Sequence, residues 1–224
     1  MEGRRSGDTD TARITDRTCE HCNSYNMLKL VRHLYGWEPD AALFDFYERV
    51  HLNHVLASQH PDTGRFAYFM PLAAGARRTW TGDDSLWCCV GSGMESHAKH
   101  GDSIYWHDDA TLYVNLFIPS SLDWEGLRLE LETVYPLDES VRLTIVAAPP
   151  RARAIALRLP GWCAAPIVRL NGVPARFERR AGYFMLRSNF RAGDRIELSL
   201  PMVLRAEPAP DDPAVTAWLH GPLV

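Results

Sequence analysis

Trp87-Cys88-Cys89-Val90-Gly91-Ser92-Gly93-Met94-Glu95 places two adjacent cysteines ahead of a glycine-spaced turn and a helical run. The run is expected from about Ser92 to His100, with Gly101 as its stop. Beyond Gly101 the texture of the chain changes from helix to strand. A second cysteine-bearing stretch, Cys19-Glu20-His21-Cys22, stands upstream of Asn23-Ser24-Tyr25-Asn26-Met27-Leu28-Lys29-Leu30. These two places hold four of the five cysteines.

Toward the N-terminus the pattern is helical. A helix is expected from about Asn23 or Ser24, both good caps, with Met27, Leu30 or Val31, and Leu34 on one face and Gly36 as its end. Asp40 is placed to cap a second helix running to about Ser58, with Leu43, Phe46 or Tyr47, Val50 and Val55 inward. Pro61-Asp62-Thr63-Gly64 reads as a turn, Phe66–Phe69 as a short extended segment, and residues 73–86 as a loop.

Toward the C-terminus the pattern is β. Leu127, Leu129 and Leu131 alternate with Arg128, Glu130 and Glu132, as in a half-buried strand. Asp108-Asp109 separates two apolar runs like a hairpin, and Asn171-Gly172 is a strong two-residue hairpin turn. Further strands are expected at 141–147, 153–159, 166–170, 173–177, 183–187 and 195–200. Many short strands with turn signals between them indicate an antiparallel β-sandwich. The resulting division is a disordered or displaced tail over 1–17, a helical part over 18–101 and a sandwich over 102–224. The fold class is thus an α+β chain in two parts.

Composition is that of a globular protein, with 46% hydrophobic and 23% charged residues. A net charge of -4 without a Lys/Arg cluster argues against nucleic acid as a partner. No apolar run is long enough to span a bilayer, so no membrane partner is expected. Met1-Glu2-Gly3-Arg4-Arg5-Ser6-Gly7-Asp8 lacks the apolar core of a signal peptide, so a cytoplasmic location is expected. In that reducing setting cysteines serve more often as ligands or catalysts than as disulfides. Cys163, alone in Pro160-Gly161-Trp162-Cys163, reads as a small apolar filler.

Thiolates and carboxylates are zinc ligands, and four of them make a tetrahedral site. Residue types leave two readings open, a metal site or buried structural thiols. Cys19-Glu20-His21-Cys22 is itself a Cys-x-x-Cys element, so Cys19 and Cys22 are an alternative upstream pair. Residues one or two apart point to different sides of a regular helix. Glu20 with Cys22, and Cys88 with Cys89, are therefore expected in backbone that is not yet helical.

The stretches Glu20 to Leu30 with Arg32-His33-Leu34, and Trp87 to Glu95, resemble signatures of the β-L-arabinofuranosidases of glycoside hydrolase family 127. Tyr47-Glu48-Arg49, Asn53-His54-Val55-Leu56-Ala57-Ser58-Gln59 and Tyr68-Phe69-Met70-Pro71-Leu72 fit between them in the same order. The resemblance runs from about Thr18 to the end of the chain. It implies the C-terminal portion of an (α/α)6 toroid followed by an antiparallel β-sandwich. It implies a retaining hydrolase acting on L-arabinofuranose-containing oligosaccharides or glycans. By the same resemblance Zn2+ would be held by Glu20, Cys22, Cys88 and Cys89, with Cys88 as nucleophile and Tyr68 lining the sugar site. The family's acid/base glutamate lies well upstream of the Glu-x-Cys motif, and no residue of Met1 to Arg17 fits that role.

Three helices are too few for six helical hairpins, and the chain stops inside the apolar stretch Ala217 to Val224. The expectation is a fragment that is inactive or weak alone, whose uncovered helices favour a homo-oligomer. The competing reading is a non-catalytic carbohydrate- or partner-binding sandwich with a structural zinc. Glu48, His51, Glu95, His97 and His100 are expected in structural roles, His33, His54 and His60 at the surface or in buried networks. Trp37, Trp80, Trp87 and Trp106 are expected mostly in core packing.

Overall fold

The structure, a computed structural model, describes residues 17–149, 153–210 and 212–224. The expected tail thus lies outside the described residues, apart from Arg17. Helix α1 (His21–Trp37) buries Tyr25, Leu28, Val31 and Tyr35. Of the expected stripe only Val31 is buried; Met27 and Leu30 face solvent, 38% and 44% exposed. The helix is apolar on two faces, and the tyrosines decide which one packs, because the Tyr35 hydroxyl has partners in Tyr183 and Asn115.

Helix α2 (Ala41–Val50) begins as expected, with Asp40 Oδ1 accepting from Ala42 N at 2.9 Å. It continues through a π turn (His51–Val55) and a 3-10 turn (Leu56–Ser58). Phe44, Tyr47 and Val55 are buried, whereas Phe46 is exposed and Leu43 and Val50 are half-buried. Helix α3 spans Cys88–His97, four residues earlier than expected. Gly91 and Gly93 are therefore helical and form no turn. A Cβ on Gly93 would lie 2.5 Å from the Phe66 ring, so this glycine permits a close approach. Among the described residues no helix is long and apolar enough to cross a membrane.

Strands follow from Tyr105 onward. They are β1 (Tyr105–His107), β2 (Thr111–Val114), β3 (Ser120–Trp124), β4 (Leu127–Thr133) and β5 (Ser140–Ala147). Next come β6 (Arg153–Arg158), β7 (Ile167–Leu170), β8 (Val173–Pro174), β9 (Glu178–Arg180) and β10 (Tyr183–Ser188). The last three are β11 (Arg195–Ser199), β12 (Leu204–Pro208) and β13 (Thr216–His220). One sheet has the order β1-β2-β6-β10-β9, the second β3-β4-β5-β11-β7-β8, and β12-β13 is a separate pair. The expected hairpins form, Tyr105 opposite Val114 and Leu170 opposite Val173. Asn171 and Gly172 both take positive φ, as a type I′ turn requires.

The sheets are not wholly antiparallel as expected: β2 pairs with β6 in parallel. Between them the chain crosses to the second sheet for β3, β4 and β5 and then returns, so β6 re-enters in the direction of β2. Leu129, Leu131 and Leu143 point inward between the sheets as expected.

Strand β6 shows how the two parts meet. All six residues are buried because both faces are covered. Ile155 and Leu157 enter the core between the sheets, while Ala154 and Ala156 face the helices beside Tyr35, Phe44 and Tyr47. The small residues let the helices approach the sheet. Arg158 ends the strand fully buried. Its guanidinium donates to Asp45 Oδ1 and the Asn115 carbonyl, both at 2.6 Å, and to Glu48. This assigns Glu48 the structural part expected of it.

Candidate active site

Two helix starts and one extended segment build the site. Glu20 caps α1 in an extended conformation and pairs as an isolated bridge with Phe69. His21 N donates to the Tyr68 carbonyl at 3.2 Å, and Met70 N to the Cys19 carbonyl at 3.1 Å. The Tyr68 segment is thereby fastened to the start of α1. Helix α3 lies beside it, with His21 Nε2 and Ser96 Oγ 3.0 Å apart.

At this junction the ligand atoms of Glu20, Cys22, Cys88 and Cys89 all lie within 4.8 Å of one another. Cys22 Sγ is 3.3 Å from Cys89 Sγ, and Glu20 Oε1 is 3.8 and 3.9 Å from the sulfurs of Cys89 and Cys88. The expectation of non-helical backbone holds for Glu20 alone. Cys22, Cys88 and Cys89 are in first helical turns. Adjacent Cα atoms are only 3.8 Å apart, so diverging side chains can still border one ion-sized space.

Cys19 does not join the cluster. Its sulfur lies 3.3 Å from His54 Nδ1, which also meets Ser24 Oγ at 2.8 Å. His21 turns to Ser96 instead. Burial pushes His21 and His54 down to about 4, so both imidazoles are neutral near pH 7. One carboxylate and three thiols at this separation match the donor types and number of a tetrahedral zinc site.

The thiols differ in access. Cys89 is fully buried and Cys88 exposed. The Tyr68 hydroxyl, 3.5 Å from Cys88 Sγ, and then Cys22 hold the Cys88 thiol below its ordinary value. Burial pushes Cys22 and Cys89 up. The hydrogen bond to Cys88 keeps Tyr68 protonated well past the usual phenol range. The N-termini of α1 and α3 add the field that favours a thiolate. Cys88 is thus the thiol most readily ionised.

Cys88 opens into a cavity of about 730 Å³ lined by Arg17, Tyr68, Phe69, Arg77, Thr79 and Trp87. Among the described residues, no carboxylate is in that lining. Met1 to Arg17, upstream of the Glu-x-Cys motif, lies outside the described residues except for Arg17. Trp87 is 55% exposed, edge-on to Tyr68, and Trp37 is exposed too, against the expectation of core packing. Trp106 does pack against Tyr35. Sequence reasoning missed Ser92, whose Oγ is 3.1 Å from Cys22 Sγ. A helix begun at Cys88 would have placed it one turn on, over Cys89.

Two family models match the chain: the catalytic domain of the GH127 β-L-arabinofuranosidases over residues 5–102, and the middle domain of the same family over 111–202. The chain belongs to glycoside hydrolase family 127. Similar solved structures include a GH127 β-L-arabinofuranosidase from Geobacillus stearothermophilus T6, at 24% identity and a TM-score of 0.78. It covers 93% of this chain and 36% of its own. A glycoside hydrolase at 22% identity has a TM-score of 0.83, with 93% and 38% covered. A GH127 β-arabinofuranosidase at 24% identity has a TM-score of 0.79, with 91% and 36% covered. This GH127 chain therefore spans little more than a third of the structures it matches. No curated protein matches it.

Proposed function

We propose that the chain carries the nucleophile-bearing part of a retaining β-L-arabinofuranosidase. Cys88 is the nucleophile, Tyr68 meets the sugar, and Glu20, Cys22, Cys88 and Cys89 hold one zinc ion. The observation that supports this reading is the four-residue cluster with a single thiol, Cys88, turned into the open cavity. Residues 18–101 would be the last helices of an (α/α)6 toroid, and residues 102–224 the sandwich that follows it. The substrates would be L-arabinofuranose-containing oligosaccharides or glycans.

Zinc, when bound, supplies a deprotonated and fixed thiolate at neutral pH. The chain's residues do the rest. Tyr68 donates to Cys88 Sγ and so orients one lone pair, leaving another for the anomeric carbon. Cys88 Sγ forms the C–S bond as the C–O bond to the aglycone breaks, giving a glycosyl–cysteine that water then hydrolyses. The departing oxygen needs a proton, and a positioned acid typically contributes 10²–10⁴-fold. Among the described residues, the cavity lining offers no carboxylate for this. The chain alone is therefore expected to react with activated arabinofuranosides and to turn over alkyl ones poorly.

A cysteine-reactive arabinofuranose analogue tests the reading. The zinc-loaded chain should be labelled on Cys88 and not on Cys89 or Cys22. Failure to label Cys88, with the fold intact, would favour a closed structural site in a non-catalytic module. Efficient hydrolysis of an alkyl arabinofuranoside, lost in Cys88→Ser, would show that an acid/base is supplied after all.

A further inference from the structure

The three thiols of the cluster are not equivalent toward one another. Cys22 Sγ and Cys89 Sγ are 3.3 Å apart, though 67 positions separate them in the chain. Cys88 Sγ also lies within 4.8 Å of both, but it meets the Tyr68 hydroxyl and opens into the cavity. Its immediate neighbour Cys89 is an unfavourable partner, because a disulfide between adjacent residues strains the peptide between them. Cys19 is engaged with His54, and Cys163 faces the Pro201 carbonyl at 3.9 Å. The Cys22–Cys89 pair thus has its sulfurs 3.3 Å apart, and its bridge would join two separate helices.

We infer that Cys22 and Cys89 are a disulfide-forming pair, and that their oxidation and metal binding at this site exclude each other. A disulfide needs sulfurs about 2.0 Å apart, so each side chain has well under an ångström to travel. The oxidant is hydrogen peroxide. Cys22 sulfur, the more accessible of the two, attacks one peroxide oxygen. The S–O bond forms as the O–O bond breaks, giving a sulfenic acid and water. Cys89 sulfur then attacks Cys22 sulfur; the S–S bond forms and the hydroxyl leaves as water with the Cys89 proton. Two thiols lose two electrons and one peroxide becomes two waters. Ser92 Oγ, 3.1 Å from Cys22 Sγ, is placed to donate to the attacking thiolate.

The oxidised pair has no thiolate left to offer. Two of the four ligand atoms are then gone, and Glu20 with Cys88 alone is too small a set for a tetrahedral ion. Conversely, an ion in the cluster occupies the electron pairs that the peroxide must meet. Cys88 stays outside the disulfide and remains a thiol in the oxidised chain. The exclusion half of the inference rests on the ligand set proposed above; the pairing half does not.

The test uses the full chain, freed of metal by a chelator, treated with hydrogen peroxide and digested with trypsin without reductant. Thr18–Lys29 carries Cys19 and Cys22, and Thr79–Lys99 carries Cys88 and Cys89. The expected product is these two peptides joined and lighter than their sum by two hydrogens, with the free thiol count falling from five to three. Cys22→Ser and Cys89→Ser should each abolish the joined peptide, while Cys19→Ser and Cys88→Ser keep it. Fragmentation of the wild-type product locates the bond without relying on the variants' folding. A bond through Cys88 or Cys19, or no joined peptide, overturns the pairing. Zinc added first should block the joining, and the oxidised chain should take up zinc only after dithiothreitol. Joining that proceeds unchanged with zinc bound overturns the exclusion and, with it, the ligand set.

Discussion

The sandwich and the helical part bury their apolar residues differently. Between the sheets, Leu127, Leu129, Leu131, Leu143, Ile145 and Ile196 are sealed by strands on both sides. The helices press one face onto the first sheet and leave a second apolar face open, with Met27, Leu30, Trp37 and Met94 exposed, as are Leu86 and Trp87 just ahead of α3. Sheets complete their own core; these helices use the sheet as a floor and present a surface that more structure would cover. Within that apolar seam lies one link of another kind. It is a fully buried arginine between two carboxylates.

The largest effect is expected from cutting that connection. Arg158→Ala leaves Asp45 and Glu48 without their cation and should cost about 4 kcal/mol in urea unfolding. An unchanged unfolding midpoint would mean the two parts are held by apolar contacts alone. Inside the sandwich, Leu143→Ala should cost about 3 kcal/mol, the usual penalty for emptying a sealed site. A cost under 1 kcal/mol would show that the sandwich core is looser than its burial implies.

Acid should act on the helical part in particular. Burial lowers His51 and His54 to about 4 from an ordinary 6.5, so both are neutral when folded and protonate first when unfolded. His97 and His100, bonded in a chain with His51, are lowered too. The unfolded chain therefore binds more protons between about pH 6.5 and 4, and stability falls as pH drops through that window. Each of the two deeper histidines contributes on the order of 2 kcal/mol. Thermal unfolding at pH 7.5 and pH 5 should differ, and His51→Gln should narrow the difference; equal midpoints for the wild type would remove the effect. The smallest change is expected at the open helix face. Leu30→Gln should move stability by less than about 0.5 kcal/mol while reducing self-association in sedimentation. A loss near that of Leu143→Ala would place Leu30 in a core and end the contrast.

The same contrast explains what could be read in advance. Strands alternate with period two, so Leu127, Leu129 and Leu131 declare their face, and Asn171-Gly172 declares its turn. Helix α1 carries apolar residues on two faces, and no periodicity says which one a sheet will take. The sequence places both helix starts too late, because neither Glu20 nor Trp87 caps through its side chain. Strands β3, β9, β12 and β13 were unread because they are short and largely exposed, with little apolar alternation. The cluster of Glu20, Cys22, Cys88 and Cys89 came from resemblance to a family. Spacing alone allowed Cys19 as well, and only the contact with His54 separates it from the others.

The 67 positions between Cys22 and Cys89 have a thermodynamic meaning. Bringing the ends of a chain that long together removes entropy worth about 4 kcal/mol in the loop-closure account. In the folded chain that loss is borne by packing between α1 and α3, which is modest because α3 is short and its outer face is open. Any bond that spans the two sulfurs takes the same freedom from the unfolded chain. The helical part should therefore be the segment whose amide exchange slows most when the two sulfurs are tied, while the sandwich, whose strands close on themselves, should scarcely respond.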